Sequence, residues 1–229
     1  MNGHAGLAWS KRIRIICKLI AARYGNPRHG NKPVPLDELI YIILSTRVRD
    51  KVYRALYRAM RTAYPSWDGI LGSSTGRIAR MLKPGGLSTV KARQIVAIVS
   101  RLRKEFGKAT LTPLRKMKDS DIEEFLTRLP GVGQKVAKCV MMYSLSRHVL
   151  PVDVHVHRIA GRIGMRVKRR ADTSQDLIEA AIPPNLRYGF HVNAIALGRE
   201  LCTPRNPHCS ECPIKMYCDF GRRRDRPRK

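Results

Sequence analysis

The chain has 229 residues and 26.0 kDa, with 45 Lys and Arg against 17 Asp and Glu, giving a formal net charge of +28 and a pI near 10.7. With 43% hydrophobic residues it can bury one or two cores, which excludes a disordered basic tail. No run approaches the ~18 apolar residues of a membrane helix, and Met1 to Leu7 lacks a secretory pattern. The expectation is an intracellular, soluble chain with a polyanionic partner and no membrane, cytoplasmic and nucleoid-associated if prokaryotic. The competing reading of the charge is a solubilising or ribosome-associated surface.

In chain order, Leu36, Leu39, Ile40, Ile43 and Leu44 recur at helical spacing. Asp50 is placed to cap a helix carrying Val52, Leu56 and Met60. Ile95, Ile98, Val99, Leu102 and Phe106 form another stripe. Ser120 with Glu123 reads as a capping box ahead of Phe125 and Leu126. Helices are predicted over Gln134–Ser146 and Val154–Ile163, then over Thr173–Ala181, which opens on Thr173 and Asp176, and over Tyr188–Glu200. Pro and Gly mark turns at Pro27–Pro35, Gly69–Gly76, Pro84–Gly86, Pro130–Gly133 and Pro183–Pro184. No alternating strand or hairpin signal occurs, so the fold class is all-α. The segment Gly221–Lys229 reads as a mobile basic arm.

Cys17 and Cys139 stand alone in apolar stretches and read as small buried hydrophobes. Cys202, Cys209, Cys212 and Cys218 instead follow a C-x6-C-x2-C-x5-C spacing. Without an export signal a disulfide framework is not expected, and four clustered thiols read as a metal site. Only Cys209 and Cys212 make a short zinc-type hook. Four thiolates on one loop fit a cubane iron–sulfur cluster at least as well, and spacing alone leaves zinc open.

Leu129-Pro130-Gly131-Val132-Gly133-Gln134-Lys135 lies between two predicted helices. Gly131 and Gly133 permit a sharp turn and close approach of a ligand. The first amides of the following helix lack intrahelical acceptors and form a nest for a phosphate oxygen. Alone, the segment is also compatible with an ordinary helix corner.

LPGVGQKVA, then PVDVHVHRIAGRIG, then the cysteine loop, in that order and spacing over about Leu36 to Cys218, resemble the endonuclease III family of helix-hairpin-helix DNA glycosylases. The resemblance implies two helical domains with a cleft between them: 28–147 with the hairpin, and 1–27 with 148–229 carrying a [4Fe–4S] cluster on Cys202, Cys209, Cys212 and Cys218. It implies double-stranded DNA containing a damaged or mismatched base as partner, bound by a monomer. Lys135 matches the family's nucleophilic lysine, which attacks C1′ of an extruded nucleotide and permits β-elimination. The helix N-terminus and the cationic surroundings disfavour its ammonium form; its simpler role is a phosphate contact.

Asp153 matches the catalytic aspartate, and its bland role, capping the helix from Val154, is compatible with catalysis. His155 and His157 lack a third metal ligand nearby and read as supporting or core residues. Arg47 stands where a glutamine usually fills the gap left by the base. Leu87 matches an apolar wedge, followed by Ser88 in place of an aromatic; Val154 replaces the more usual threonine. Core packing for Leu87 and solvation for Arg47 are the alternatives. Arg205, His208 and Lys215 on the cysteine loop would meet the DNA backbone. The expected function is a glycosylase for damaged pyrimidines with abasic-site lyase activity. The alternatives are a monofunctional uracil or thymine-mismatch glycosylase, with an adenine version disfavoured by Lys135, and a non-enzymatic iron–sulfur DNA-binding protein.

Overall fold

The computed structural model describes residues 8–224, and every regular element among them is helical. The chain divides into two compact units: one runs from the N-terminus to His29 and resumes at His148, and the other is Gly30–Arg147. No helix among the described residues is long and apolar enough to cross a membrane.

In the second unit, α2 (Pro35–Ser45) buries Leu36, Leu39, Ile40, Ile43 and Leu44, and starts on a proline with Asp37 and Glu38 in its first turn, favourable at the positive helix end. It packs on α3 (Asp50–Ala63) and on α7 (Gln134–Ser144). Asp50 is the first residue of α3, whose N-cap is Arg49, one place earlier than the predicted cap. A short helix, α4 (Thr75–Leu82), packs along α5 (Ser88–Phe106), which buries Ile95, Ile98, Val99 and Leu102. The Ser-Gly run before α4 reads as turn alone, yet Ser74 caps it by accepting from the Arg77 amide. The expected capping box at Ser120 is not formed. α6 (Asp119–Thr127) takes Lys118 as its N-cap, two residues before Ser120, and the Ser120 hydroxyl donates to Asp121 Oδ1.

The first unit is built on α1 (Trp9–Tyr24), which sequence periodicity did not single out. Ile13, Ile16 and Ile20 are wholly buried against α8 (Val154–Arg162), α10 (Arg187–Glu200) and Phe190. Each such side chain contributes roughly 1.5–3 kcal/mol. Cys17 joins this core, and burial pushes its thiol up to about 12; Cys139 is likewise buried in α7. Asn26 and Asn193 exchange two hydrogen bonds of 3.1 and 2.6 Å, tying the segment after α1 to α10. α9 (Gln175–Ala181) follows a 3-10 turn over Asp172–Ser174, so Thr173 lies before the helix and its hydroxyl donates to the Arg170 carbonyl instead of capping. A last helix, α11 (Asp219–Arg224), takes in the start of the expected basic arm; 225–229 lie outside the described residues.

Candidate active site and iron–sulfur loop

After α6 the chain turns through Arg128–Gly131, held by Val132 N–H donating to the Leu129 carbonyl at 3.1 Å, with both of these side chains buried. Gly131 has φ +67°, and a Cβ there would lie 2.7 Å from Gln94 Nε2. The backbone conformation favours glycine at this position, and a larger residue would also have to push the end of the Gln94 side chain aside. Gly133 differs: it is the N-cap of α7 with φ −87°, and an added Cβ would meet nothing within 4 Å. The fold has no use for glycine at 133; what it leaves is open surface beside the first-turn amides of α7. Lys135 sits in that first turn and is exposed.

The charge of Lys135 is felt by Glu38, a carboxylate of α2 that is 0% exposed. Glu38 accepts from Asn31 Nδ2 at 2.5 Å and from the Lys32 amide at 2.6 Å. Burial raises its pKa, opposed by these two donors and by the charges of Lys32 and Lys135.

Asp153 lies in the other unit, half-buried, at the N-cap of α8. Its Oδ1 accepts both the His155 amide at 2.9 Å and the Val156 amide at 2.8 Å. The approach to it is fixed by side chains. Val152 N–H donates to Gln175 Oε1 at 2.9 Å, Gln175 Nε2 donates to the Leu150 carbonyl at 2.6 Å, and His191 Nδ1 meets the Pro151 carbonyl at 2.9 Å. A buried amide and a buried imidazole thus set the direction of the carboxylate through its backbone. The two nearby histidines are structural. His155 packs against Gly198, where a Cβ would stand 2.6 Å from its Nδ1, and His157 Nε2 meets the Lys168 carbonyl at 2.9 Å.

Arg47 and Leu87 are exposed, Leu87 by 49%, which removes core packing as an account of it. Both are non-glycine residues in the left-handed region, with φ +57° and +49°, a conformation costing about 1–2 kcal/mol per residue. Sequence reasoning passed over Lys91, which is 3% exposed and donates to three backbone carbonyls near these two residues. Its signal was a lysine on the apolar stripe of α5, four residues before Ile95. Val154, next to Asp153, is 66% exposed.

The four clustered cysteines line one recess, with Ile159, Ile163, Leu197, Leu201, Ile214 and Phe220. None of the four is in a disulfide. Burial raises Cys218 and pushes Cys212 up to about 11, and charge on the neighbouring thiols raises both further. An apolar recess penalises bare thiolates, so ligand sulfurs here need the counter-charge of a metal. Arg162 Nη1 donates to Cys202 Sγ at 3.1 Å, and the Gly221 amide to Cys218 Sγ at 3.4 Å, bonds of the kind that tune iron–sulfur ligands. Among the described residues no three or more His, Cys, Asp or Glu form a closed single-ion cage. The donor set and its N–H bonds fit an iron–sulfur group held by Cys202, Cys209, Cys212 and Cys218. On the same loop Arg205 and His208 are exposed and Lys215 is half-buried.

The family model of the HhH-GPD superfamily of base excision DNA repair proteins matches residues 40–184, and that of the iron–sulfur binding domain of endonuclease III matches residues 202–218. Endonuclease III of Thermotoga maritima is 30% identical over 212 residues, covering 93% of this chain and 94% of that protein. The chain belongs to the endonuclease III family. Endonuclease III of Rickettsia prowazekii is 29% identical, covering 83% of this chain and 90% of that one. A trapped endonuclease III–DNA covalent intermediate shares the fold with a TM-score of 0.81 at 22% identity, covering 96% of this chain and 100% of that one. A thermostable thymine-DNA glycosylase does so with 0.79 at 21%, covering 93% and 98%. Membership in the endonuclease III family makes this chain a base-excision DNA glycosylase/AP lyase with DNA as its partner and a [4Fe–4S] cluster on its C-terminal loop.

Proposed function

We propose that this endonuclease III family protein extrudes a damaged pyrimidine from double-stranded DNA, with Lys135 as nucleophile and Asp153 as its carboxylate partner. The observation that carries the reading is an exposed lysine, Lys135, in the first turn of α7, two residues after a glycine whose Cβ space the fold leaves open. The lone pair of neutral Lys135 Nζ forms a bond to C1′ as the bond to the base breaks, and the base leaves with that electron pair. The ammonium proton passes to the carboxylate of Asp153 or to the departing base. Ring opening gives an imine between Nζ and C1′. Loss of a C2′ proton then expels the 3′ phosphate and cleaves the strand. With Asp153 Oδ1 committed to two amides, Oδ2 is the oxygen for the sugar.

The amides around Gly131 and Gly133 hold a backbone phosphate, Arg47 and Leu87 occupy the space of the extruded nucleotide, and Arg205 and Lys215 meet the backbone elsewhere. One copy of the chain suffices, working where chromosomal DNA is. Duplexes carrying thymine glycol, uracil or a preformed abasic site, incubated with the protein and then borohydride, test this. The expected result is a covalent adduct with thymine glycol and abasic DNA that Lys135→Ala abolishes. Base release without an adduct makes the protein monofunctional and removes Lys135 as nucleophile; preference for uracil or mismatched thymine overturns the lesion class.

A further inference from the structure

We propose that Lys91 is a positioning residue for base extrusion: its buried ammonium clamps together the two backbone segments that carry Arg47 and Leu87. This rests on the reading above, in which those side chains fill the gap in the DNA.

Lys91 Nζ donates to the Leu44 and Thr46 carbonyls, each at 3.0 Å, and to the Gly85 carbonyl at 3.4 Å. An ammonium has three protons, and this one has three acceptors. Leu44 and Thr46 lie at the C-terminus of α2, where carbonyls lack intrahelical donors and a cation is favoured. Gly85 lies two residues before Leu87. The clamp thus joins the residue preceding Arg47 to the loop preceding Leu87, across 47 positions of sequence for Leu44.

Lys91 grips the second arm through its backbone as well, its amide donating to the Leu87 carbonyl at 2.9 Å. Between Gly85 and Leu87, Gly86 has φ +62° and ψ 166°, a conformation open in practice to glycine alone. A Cβ on Gly85 would stand 2.6 Å from Leu56 Cδ1, so this loop also presses on α3. Arg47 and Leu87, both in the left-handed region, would relax to ordinary backbone if nothing held them. One buried cation holds both, at the cost of its own desolvation, which lowers its pKa. A side chain that touches no DNA therefore fixes where two DNA-facing side chains stand, and a displacement of about 1 Å in such a constellation is enough to cost about a hundredfold in rate.

The test uses cluster-loaded wild type, Arg47→Ala, Leu87→Ala, Lys91→Met, Lys91→Arg and the double variant Lys91→Met/Leu87→Ala. Extrusion is read by 2-aminopurine fluorescence beside the lesion, and excision by single-turnover rate. Affinity for undamaged duplex and thermal midpoint serve as controls. Lys91→Met is expected to lower extrusion and excision about ten- to a hundredfold with affinity for undamaged duplex within about threefold. The double variant should be no more than about threefold worse than the worse single, because both changes disable one device.

If Lys91→Met does not fold, Lys91→Arg decides. It keeps the charge but cannot bring three donors from one nitrogen, so reduced extrusion at an unchanged midpoint supports the clamp, and wild-type extrusion overturns it. Multiplying losses in the double variant, or wild-type excision by a folded Lys91→Met, overturn the clamp alone. If Arg47→Ala and Leu87→Ala both excise at wild-type rates, the assignment of the two arms has failed and the clamp falls with it.

Discussion

The cap seen at Asp153 and the catalytic role proposed for it share one carboxylate, and they separate by substitution. As a cap, its Oδ1 accepts two amides of α8. Asparagine caps nearly as well as aspartate, whereas alanine costs about 1 kcal/mol. Asp153→Asn should therefore keep the thermal midpoint while cutting base release by at least about a hundredfold and leaving DNA affinity within a few fold. Asp153→Ala should lose both. Equal loss of affinity and release in the asparagine variant would reduce Asp153 to a cap.

His155, two residues on, tests the surroundings of that cap. Burial lowers its pKa, with Asp153 opposing and Arg158 and Arg199 adding to the fall. A folded value below the unfolded one means that stability is complete above about 6.5. It declines as the pH falls from there towards the folded value. Thermal midpoints measured from pH 7.5 down to 5 should fall more steeply for wild type than for His155→Gln, and parallel curves would place the acid sensitivity elsewhere.

Among elements, the hairpin shows how two glycines of one motif serve different ends. Gly131→Ala forces a Cβ against Gln94 and a side chain into φ +67°, so it should cost about 1–3 kcal/mol and lower the chemical-denaturation midpoint. Gly133→Ala meets open space and should fold within about 1 kcal/mol of wild type. Its methyl would stand in the proposed phosphate nest, so its affinity for duplex should fall about tenfold or more by fluorescence anisotropy. The reverse pattern would move the phosphate nest away from this turn. The turn itself was legible in the sequence, because two glycines between helical stripes mark a corner; which glycine the backbone needs was not, because spacing does not reveal that only Gly131 takes a positive φ.

The same division holds for whole helices. α2, α5, α7 and α8 carry apolar patterns long enough to read directly, while α10 is buried over consecutive residues, Phe190 to Ile195. α1 does not, because Lys11, Arg12, Arg14 and Lys18 dilute Ile13, Ile16 and Ile20, and its burying partner α10 lies far along the chain. Lys91 was hidden for a related reason: a lysine on an apolar stripe either snorkels outward or finds acceptors, and its acceptors come from other elements.

At the scale of the whole molecule, the chain has two cores, and the cysteine loop belongs to only one of them. Arg12 fastens the loop to α1 by donating to the Tyr217 carbonyl and to Asp219 Oδ1, and Arg162 lies between Cys202 and the Phe220 ring. Ile214 and Cys218 are part of that core. An iron–sulfur group held by the four cysteines would therefore stabilise this unit directly, since without it the recess offers apolar surface and desolvated thiols in place of metal–sulfur bonds.

The chain's two tryptophans report the two units separately. Trp9 donates from Nε1 to the Ala181 carbonyl at 2.8 Å in the first, and Trp67 to Asp37 Oδ1 at 2.6 Å in the second. In Trp67→Phe, where only Trp9 emits, oxidative removal of the cluster should lower the fluorescence-detected unfolding midpoint by well over the ~4–8 °C that accompanies 1 kcal/mol in a domain of about this size. In Trp9→Phe, where only Trp67 emits, the same treatment should move the midpoint by a small fraction of that. Equal shifts at both reporters would mean that the two cores unfold as one cooperative body, and an unmoved Trp9 transition would mean that the loop's packing on α1 and α8 holds it in place without the metal.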